Sequence, residues 1–457
     1  MPDTTRRIAV IGGGISGLTA AFELIEAGRD VVLFEAAKSL GGKIAETSLD
    51  GTIIPTGPDA FLARRPEVTE LAKQLGLSNA LTSPVARSAR IYRNGELHPL
   101  PPNVLGVPAT AELTETGLIS AEGAAVAAAG VADDPDQVQE DESVGALIRR
   151  QLGDEVLEFL VDPLLGGINA GDTDRLSVVS GVPQLDGLRQ RGGRLLDAAA
   201  AALADAARNA PAGEPPPVFH SIEGGLGRLV EHLVERLERS GSCEIRTGSG
   251  AELTRTDNGW LVNGVEVDQI ISTIPAHAAT KLVANVAPTV AELLRGIEYS
   301  SVALTLLTLA PGTIDIDSAI SGVLVPRTLG HHVTAVSFAS HKWPALAVGG
   351  RQVLRVSVGR RTDRSWTDLD DGGLVRAIEA DLSEIFGVEV EAGHTDVTRW
   401  MHGLPQYDVG HRQRIDDIDD HLERVTGLHL TGAWRDGLGL PACVAAGRAA
   451  AQRIISA

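Results

Sequence analysis

The chain has 457 residues, of which 43% are hydrophobic and 22% are charged, and its formal net charge is −20. This length favours two or three domains over a single hydrophobic core. The negative charge and the aromatic content of only 3% exclude a nucleic-acid-binding surface, which needs basic grooves and aromatic stacking platforms.

The cysteine and histidine content argues against disulfides and metal sites. Cys243 and Cys443 are too far apart in sequence for a zinc pattern, and their small number indicates a reducing compartment. His331 and His332 have no carboxylate or further histidine at ligand spacing, so we expect no metal. With no secretory signal and no long apolar run, we expect a cytoplasmic protein without a transmembrane segment; a peripheral position at the membrane stays open.

The N-terminal segment predicts a βαβ unit that binds a dinucleotide. Its strand, helix and second strand are expected at Ile8–Ile11, Ser16–Ala27 and Asp30–Glu35. The intervening loop is a GxGxxG motif, in which Gly12 makes the tight turn, Gly14 admits the pyrophosphate and Gly17 packs closely. The helix N-terminus offers N–H groups to phosphate. Glu35 is placed to accept hydrogen bonds from the ribose hydroxyls.

The remaining elements follow from hydrophobic periodicity. Helices are expected at Pro66–Leu75, Val144–Leu152, Leu195–Ala207, Gly224–Glu238 and Cys443–Ile455. Strands are expected at Glu244–Thr247, Gly259–Val262, Val267–Ile274, Val302–Leu309, Gly322–Val325, Val333–Phe338, Val353–Val358 and Leu428–Gly432.

These elements predict an α/β fold in an α+β multidomain arrangement. A Rossmann-type domain that binds the dinucleotide is expected from residues 1–90, 218–298 and 400–457. An inserted helical domain spans residues 110–210 and is followed by the Pro-rich linker Pro211–Pro217. A substrate-binding domain with a mixed sheet is expected from residues 91–109 and 299–399.

Further glycine-rich segments identify the expected dinucleotide. Gly41–Lys43 and Gly57–Asp59 follow the first βαβ unit, and Leu430–Trp434 leads to Gly437–Gly447 near the C-terminus. In these motifs the chain resembles the amine oxidase and protoporphyrinogen oxidase superfamily of flavoproteins. The resemblance implies FAD, with a helix N-terminus that points at the flavin ring and stabilises its anionic reduced form. The FAD is expected to be non-covalent, because Cys443 lacks the sequence context of the covalent flavin cysteine in monoamine oxidases.

The resemblance implies flavin contacts from each of these motifs. Trp400 also matches a family flavin contact. The implied cofactor-binding residues are Gly12, Gly13, Gly14, Ile15, Ser16, Gly17, Glu35, Ala36, Gly42, Lys43, Gly57, Pro58, Asp59, Ala60, Gly250, Trp400, Leu438, Gly439 and Leu440.

Several other segments resemble the porphyrinogen oxidases, and this resemblance spans nearly the whole chain. They are Gly57–Pro66, Leu97–Pro101, Pro163–Asp172, Gly322–Arg327, Lys342–Pro344 and Leu404–His411. The most specific are Leu404–His411 and the stretch Gly167–Asp172, which amine oxidases and carotene desaturases do not usually share. The resemblance implies a protoporphyrinogen or coproporphyrinogen III oxidase of haem biosynthesis that uses oxygen and forms hydrogen peroxide. No catalytic side chain is expected, because the flavin accepts the hydride and the pyrrole protons can leave to solvent.

Such a substrate needs an apolar slot with cations at its rim. The matching family segments imply Gly167 and Leu324 as slot walls, although Leu324 also suits an ordinary core position in its strand. Arg64 and Arg65 follow the Gly57–Asp59 turn and are expected to pair with propionates. The alternative for this pair is a solvated approach to the following helix.

Two features favour coproporphyrinogen III over protoporphyrinogen IX. Plant and animal protoporphyrinogen oxidases often have an arginine where this chain has Leu105. The Arg64–Arg65 pair resembles the cationic turn of the bacterial coproporphyrinogen enzymes, whose substrate has four propionates.

Three alternatives remain at this stage. The first is an oxidase of protoporphyrinogen IX, and the second is a flavin amine oxidase, whose aromatic cage is hard to assemble from Tyr92, Tyr299 and Tyr407. The third is a non-catalytic FAD-binding scaffold. A transient contact with a ferrochelatase, and either a monomer or a homodimer, are compatible with the sequence.

Overall fold

The computed structural model describes residues 7–132, 141–209 and 216–456. The strands are β1 (Ile8–Ile11), β2 (Val31–Phe34), β3 (Glu46–Leu49), β4 (Thr52–Pro55), β5 (Phe61–Leu62), β6 (Leu81–Thr82), β7 (Ser88–Arg93), β8 (Glu96–Pro99), β9 (Asn103–Val104), β10 (Val107–Pro108), β11 (Phe219–Ile222), β12 (Cys243–Arg246), β13 (Leu253–Thr256), β14 (Gly259–Val262), β15 (Val265–Val267), β16 (Gln269–Ser272), β17 (Tyr299–Leu309), β18 (Ile320–Leu324), β19 (Val333–Phe338), β20 (Gln352–Val358), β21 (His394–Pro405) and β22 (Leu428–Leu430).

The helices are α1 (Ile15–Glu26), α2 (Pro66–Gln74), α3 (Ala121–Ala128), α4 (Val144–Leu152), α5 (Asp154–Val156), α6 (Asp162–Asn169), α7 (Val178–Gly181), α8 (Pro183–Arg189), α9 (Leu195–Asn209), α10 (Gly227–Ser240), α11 (Ala276–Val283), α12 (Pro288–Arg295), α13 (Ala339–Lys342), α14 (Asp371–Phe386), α15 (His411–Leu422), α16 (Ala433–Asp436) and α17 (Leu440–Ile455). A π-helical turn, Leu157–Val161, joins α5 to α6. Short 3-10 turns lie at Ser78–Ala80, Leu113–Thr116, Arg327–Leu329, Pro344–Leu346, Val348–Gly350 and Ser365–Asp368.

The chain forms two compact units. The first contains Met1–Ser83, Pro217–Glu298 and Gln413–Ala457, and the second contains Pro84–Pro216 and Tyr299–Arg412.

A five-stranded parallel sheet forms the centre of the first unit. Its order is β12-β2-β1-β16-β22, and every neighbouring pair is parallel. β1 and β2 are buried along their full length, as expected for strands covered on both faces. The chain runs from β1 to β2 on one side, and β16 lies on the other side. The carboxyl end of β1 is therefore a topological switch point, where open α/β sheets bind ligands.

Three helices pack together on this unit at short range. α1 lies against α17 and α10. A Cβ atom at Gly447 of α17 would stand 2.2 Å from the carbonyl oxygen of Ser16 in α1. No real side chain fits at that distance, so glycine is required where the backbones of α1 and α17 cross.

The second unit is built on a seven-stranded mixed sheet. Its order is β21-β17-β20-β19-β18-β7-β8, and β18 pairs with β7 in parallel, whereas the other pairs are antiparallel. One face of the sheet packs on α14 and forms an apolar core that includes Val323, Val325 and Val336. Because side chains alternate along a strand, Leu324 points to the opposite face. α6 contacts β18 and β19, and its contact with Leu324 assigns it to that opposite face.

The predicted fold class is confirmed: a Rossmann-type sheet, a helical region and a mixed sheet are all present. The predicted strand Val267–Ile274 was wrong, because the chain changes sheets at Asp268, whose N–H donates to the carbonyl of Arg7. The last helix begins at Leu440 rather than Cys443, since Pro441 is tolerated in the first turn.

The domain boundaries stay a prediction. The structure groups the helical region and the mixed sheet in one compact unit. Most of the Pro-rich linker Pro211–Pro217 lies outside the described residues.

Candidate active site

The glycine loop after β1 is packed so closely against its neighbours that it has no room for side chains at Gly12 and Gly17. Gly12 has φ +108°, and a Cβ there would stand 2.6 Å from Oγ1 of Thr273. A Cβ at Gly17 would stand 1.8 Å from the carbonyl oxygen of Gly12. α1 begins at Ile15 after Gly14, so its first N–H groups lack partners within the helix. Such N–H groups suit a phosphate.

Glu35 follows β2 and is fixed from both sides. Its Oε2 accepts a hydrogen bond from the N–H of Gly13 at 2.6 Å, and its Oε1 accepts one from the N–H of Ala37 at 2.7 Å. A carboxylate has about four lone-pair sites, so acceptor capacity remains for ribose hydroxyls. The exposed Ala36 continues the same turn.

The predicted residue Gly250 belongs to a loop beside this carboxylate. The N–H of Ser249 donates to the carbonyl of Glu35 at 3.0 Å, and the N–H of Gly248 donates to that of Ala37 at 2.7 Å. A Cβ at Gly250 would meet nothing within 4 Å. The loop therefore lies at the end of β2 with open space at Gly250.

Two further loops meet the glycine loop. The N–H of Gly41 donates to the carbonyl of Gly13 at 2.8 Å, and a Cβ at Gly42 would stand 3.1 Å from Cα of Gly14. A Cβ at Gly57 would stand 1.9 Å from the carbonyl oxygen of Lys43. The predicted segments Gly41–Lys43 and Gly57–Ala60 are thus brought together with the first loop.

Lys43 supplies a cation among these loops. Its side chain is accessible to solvent, yet the surrounding protein removes enough water to lower its pKa. Exposure to solvent and a lowered pKa occur together when a side chain lies in a recess, because protein atoms surround it while water still reaches it. A cation in that position suits an anionic ligand.

The C-terminal motif brings a second helix N-terminus to the same loops. Gly432 and Gly437 both have φ +127°, and Gly439 caps α17. The Cys443 thiol donates to the carbonyl of Gly437 at 3.8 Å, and burial raises its pKa, so it is a neutral thiol at pH 7. A Cβ at Gly432 would stand 3.0 Å from the carbonyl oxygen of Thr273. Leu438, Gly439 and Leu440 therefore begin α17 close to the first glycine loop.

Thr273 is a site residue that the sequence analysis missed. Its hydroxyl lies 3.3 Å from the carbonyl oxygens of both Ile11 and Gly12. It directly follows β16, the strand beside β1. Residues after the carboxyl ends of central parallel strands gather at a switch point, so strand order, had it been known, would have identified it.

In the second unit, the two predicted slot residues lie together. A Cβ at Gly167 would stand 3.6 Å from Cδ2 of Leu324, which is ordinary contact. Gly167 is exposed and Leu324 is half-buried on the face away from the apolar core. The geometry thus favours a wall position for Leu324 over a core position, and substrate contact stays a prediction.

The two most specific stretches, Gly167–Asp172 and Leu404–His411, contact each other. Nε2 of Gln406 donates to the carbonyl of Asn169 at 3.0 Å. Arg361 joins both segments: its N–H donates to the carbonyl of Ala170 at 2.9 Å, and its guanidinium binds Asp408 through two hydrogen bonds of 2.5 and 3.1 Å. The two stretches therefore pack against each other in the folded protein.

Arg64 and Arg65 of the cationic turn differ in their contacts. Nε of Arg65 donates to Glu67 at 3.0 Å, and this pairing raises the pKa of Arg65. Arg64 is exposed and forms no ion pair with the part of the chain that is described. Both side chains are cationic, but only Arg65 is paired with a carboxylate.

Two other predicted positions lie in the second unit. Trp400 lies on β21 opposite Val302, and its flavin contact stays a prediction. Leu105 has φ +52° in the turn between β9 and β10, where it offers no cation to a propionate.

Among the described residues there is neither a metal-ligand cluster nor a membrane-spanning helix. Over residues 7–132, 141–209 and 216–456, no three His, Cys, Asp or Glu side chains are arranged to hold a metal ion. Across those ranges, none of the helices has both the length and the apolar character needed to cross a bilayer.

Comparison with known proteins identifies relatives of nearly full length. The family model for flavin containing amine oxidoreductase matches residues 15–455. The coproporphyrinogen III oxidase of Bacillus subtilis strain 168 is 32% identical, over 98% of this chain and 98% of that protein. The coproporphyrinogen III oxidase of Mycobacterium tuberculosis H37Rv is 34% identical, over 98% and 97% respectively. A crystal structure from Exiguobacterium sp. 255-15, provisionally named a protoporphyrinogen oxidase, has 31% identity and a TM-score of 0.87 over 99% of both chains.

We expect Glu35→Gln to lower the flavin content of the purified protein by about tenfold. The amide presents an NH₂ group where the carboxylate accepts two backbone N–H groups, and a hydrogen bond to a charged group contributes about 1.5–3 kcal/mol. The measurement is the ratio of flavin to protein absorbance after gel filtration. Glu238→Gln, at an exposed position on α10, is the matched control and keeps its flavin. Equal flavin content in both variants would contradict the role of Glu35.

Proposed function

Because the chain belongs to the family of flavin-containing amine oxidoreductases, we propose that it oxidises coproporphyrinogen III to coproporphyrin III in haem biosynthesis. The observation that carries this proposal is the contact between Gly167–Asp172 and Leu404–His411, the two stretches most specific to porphyrinogen oxidases. The names of the relatives from Bacillus and Mycobacterium support the choice of coproporphyrinogen III.

We further propose that the flavin is non-covalent FAD. The residues of the first unit fit a dinucleotide. Gly12, Gly17 and Gly57 have no side chains, so the backbone of these loops is free to contact a ligand. Glu35 would hold the ribose hydroxyls, and Lys43 would face the pyrophosphate. The neutral Cys443 thiol, with its raised pKa, is a poor nucleophile and so supports a non-covalent cofactor.

Each cofactor-binding role in the first unit remains part of this proposal. The glycine loop and the start of α1 would bind phosphate, the turn after Gly57 would border the flavin, and the start of α17 would face its ring. The family resemblance implies a flavin contact for Trp400 as well. The residues assigned are Gly12, Gly13, Gly14, Ile15, Ser16, Gly17, Glu35, Ala36, Gly42, Lys43, Gly57, Pro58, Asp59, Ala60, Gly250, Trp400, Leu438, Gly439 and Leu440.

When bound, the flavin supplies a hydride acceptor for the substrate's meso carbon and passes the electrons to oxygen, which yields hydrogen peroxide. The contribution of the chain is to bind and orient the substrate. Gly167 and Leu324 would form apolar walls, and the small glycine leaves room for the macrocycle. Arg64, whose guanidinium has no carboxylate partner among the described residues, is the better candidate to pair with a propionate.

An amine oxidase is less well supported. Tyr92, Tyr299 and Tyr407 are all buried, so none is exposed as an aromatic wall for an amine.

The unpaired Cys243 and Cys443 support a cytoplasmic location, where thiols stay reduced. A transient ferrochelatase contact and a monomeric or homodimeric state stay predictions.

The substrate assignment predicts a higher kcat/KM for coproporphyrinogen III than for protoporphyrinogen IX. The reason is that the additional propionates can pair with cations at the rim of the slot. Porphyrin fluorescence measured with each substrate under air, with parallel detection of hydrogen peroxide, gives the ratio. Equal or faster turnover of protoporphyrinogen IX would overturn this assignment, and turnover of an amine alone would support an amine oxidase.

The two arginines of the cationic turn give a matched pair of variants. Arg64→Ala is expected to raise the KM for coproporphyrinogen III by about five- to tenfold, since a charge-assisted hydrogen bond contributes about 1.5–3 kcal/mol before screening by solvent. Arg65→Ala is expected to change the KM by less than about twofold, because Glu67 already neutralises Arg65. Steady-state kinetics at low and high salt provide the readout. The reverse order of effects would assign the contact to Arg65.

A further inference from the structure

A buried ion pair in the second unit contacts residues next to both walls of the proposed slot, Gly166 and Val325. Arg360 and Asp162 are 6% and 1% exposed, and Nη1 of Arg360 lies 3.5 Å from Oδ2 of Asp162. Asp162 is the first residue of α6, the helix that carries Gly167. Nη2 of the same guanidinium donates to the carbonyl of Val325, the residue after Leu324. One side chain thus connects the two elements that carry Gly167 and Leu324.

The guanidinium also lies against the backbone of α6. A Cβ at Gly166 would stand 3.4 Å from Nη1 of Arg360. Gly166 directly precedes Gly167, so Arg360 limits how closely α6 approaches the strand. The separation between the slot walls therefore depends on the length and fork geometry of an arginine.

Both ends of this contact are held in place. Gly359 has φ +98°, and a Cβ there would stand 2.5 Å from Nε1 of Trp366. Arg361 is fixed by its hydrogen bonds to Ala170 and Asp408. On the helix side, Oδ1 of Asp162 accepts a hydrogen bond from the hydroxyl of Thr173 at 2.8 Å. The guanidinium therefore connects two positions that have little freedom to shift.

Buried ion pairs are poor devices for stability, because desolvation offsets much of their attraction. Burial raises the pKa of Asp162 against the opposing charges of Arg327, whose Nε lies 3.6 Å from Oδ2 of Asp162, and of Arg360. Burial also lowers the pKa of Arg360 against the opposing charge of Asp162. The π-helical turn Leu157–Val161 directly precedes Asp162, and such turns occur frequently at functional sites.

We propose that Arg360 and Asp162 form a positioning pair that sets the distance between Gly167 and Leu324 and thereby selects which porphyrinogen enters the slot. This inference rests on the proposed function. Neither residue contacts the substrate. Their effect acts through the separation of α6 and β18.

The test variant is Arg360→Lys, which keeps a positive charge near Asp162. It replaces the two Nη atoms that contact Asp162 and the carbonyl of Val325 with a single ammonium nitrogen. The ratio of kcat/KM for coproporphyrinogen III to that for protoporphyrinogen IX is expected to change at least about fivefold. Flavin content and thermal midpoint of the holoenzyme are expected to stay at wild-type values. Arg364→Lys, at an exposed position four residues later, is the matched control and keeps the wild-type ratio.

The double variant Asp162→Asn with Arg360→Gln removes both buried charges. Arg327, which also contacts Asp162, keeps Asp172 and Asp174 as partners, so no unpaired charge is left to unfold the protein. It is expected to change the selectivity ratio in the same direction as Arg360→Lys. A ratio that stays at the wild-type value in both variants overturns the inference, as does a loss of fold or flavin in both. An equal loss of kcat/KM for both substrates, together with a lower thermal midpoint, also overturns it. Failure of the wild-type protein to oxidise either porphyrinogen overturns the proposed function itself, and this inference with it.

Discussion

Backbone meets backbone without intervening side chains where the loops of the first unit converge. A Cβ at Gly17 would lie 1.8 Å from the carbonyl oxygen of Gly12, and one at Gly57 would lie 1.9 Å from that of Lys43. Backbone atoms cannot rotate away as a flexible side chain can, so these positions admit glycine alone. The same close approach places the first N–H groups of α1, which have no partners within the helix, at the carboxyl end of β1. The packing of the unit and the proposed binding of the flavin therefore depend on one constraint.

The second unit relies on buried charge to hold its helices on the sheet. Arg361 binds Asp408, and Arg360 lies beside Asp162, so consecutive arginines after β20 hold the helical region. Arg327 adds a third cation, 3.2 Å from Asp172. Apolar packing of the same volume is often equally stable, and it lacks the directional contacts that fix one arrangement of α6.

Local sequence was sufficient for much of the fold. The bounds of β14 and β19 match the predicted strands Gly259–Val262 and Val333–Phe338, because both are short apolar runs with clear ends. The switch of sheets at Asp268 was missed, since apolar residues flank Asp268 and Gln269 on both sides and no glycine or proline marks a break between the two strands. The start of α10 was placed three residues too early: the N–H of Gly227 donates to Glu46, a distant residue that no local pattern reveals.

The candidate site was predictable only where a motif carried it. The glycine loop and Glu35 follow from spacing, and Gly167 and Leu324 followed from the family resemblance. Sequence could not distinguish Arg64 from Arg65, because the difference lies in the contact with Glu67. The pair Arg360 and Asp162 is separated by 198 residues, so only the fold brings it together.

The central claim is that this flavoprotein accepts hydride from a porphyrinogen, and anaerobic mixing with coproporphyrinogen III tests it most directly. The account predicts that the visible absorbance of the oxidised flavin bleaches without oxygen, and that it returns with coproporphyrin fluorescence when oxygen is admitted. A flavin that stays oxidised in the presence of excess coproporphyrinogen III would contradict the account.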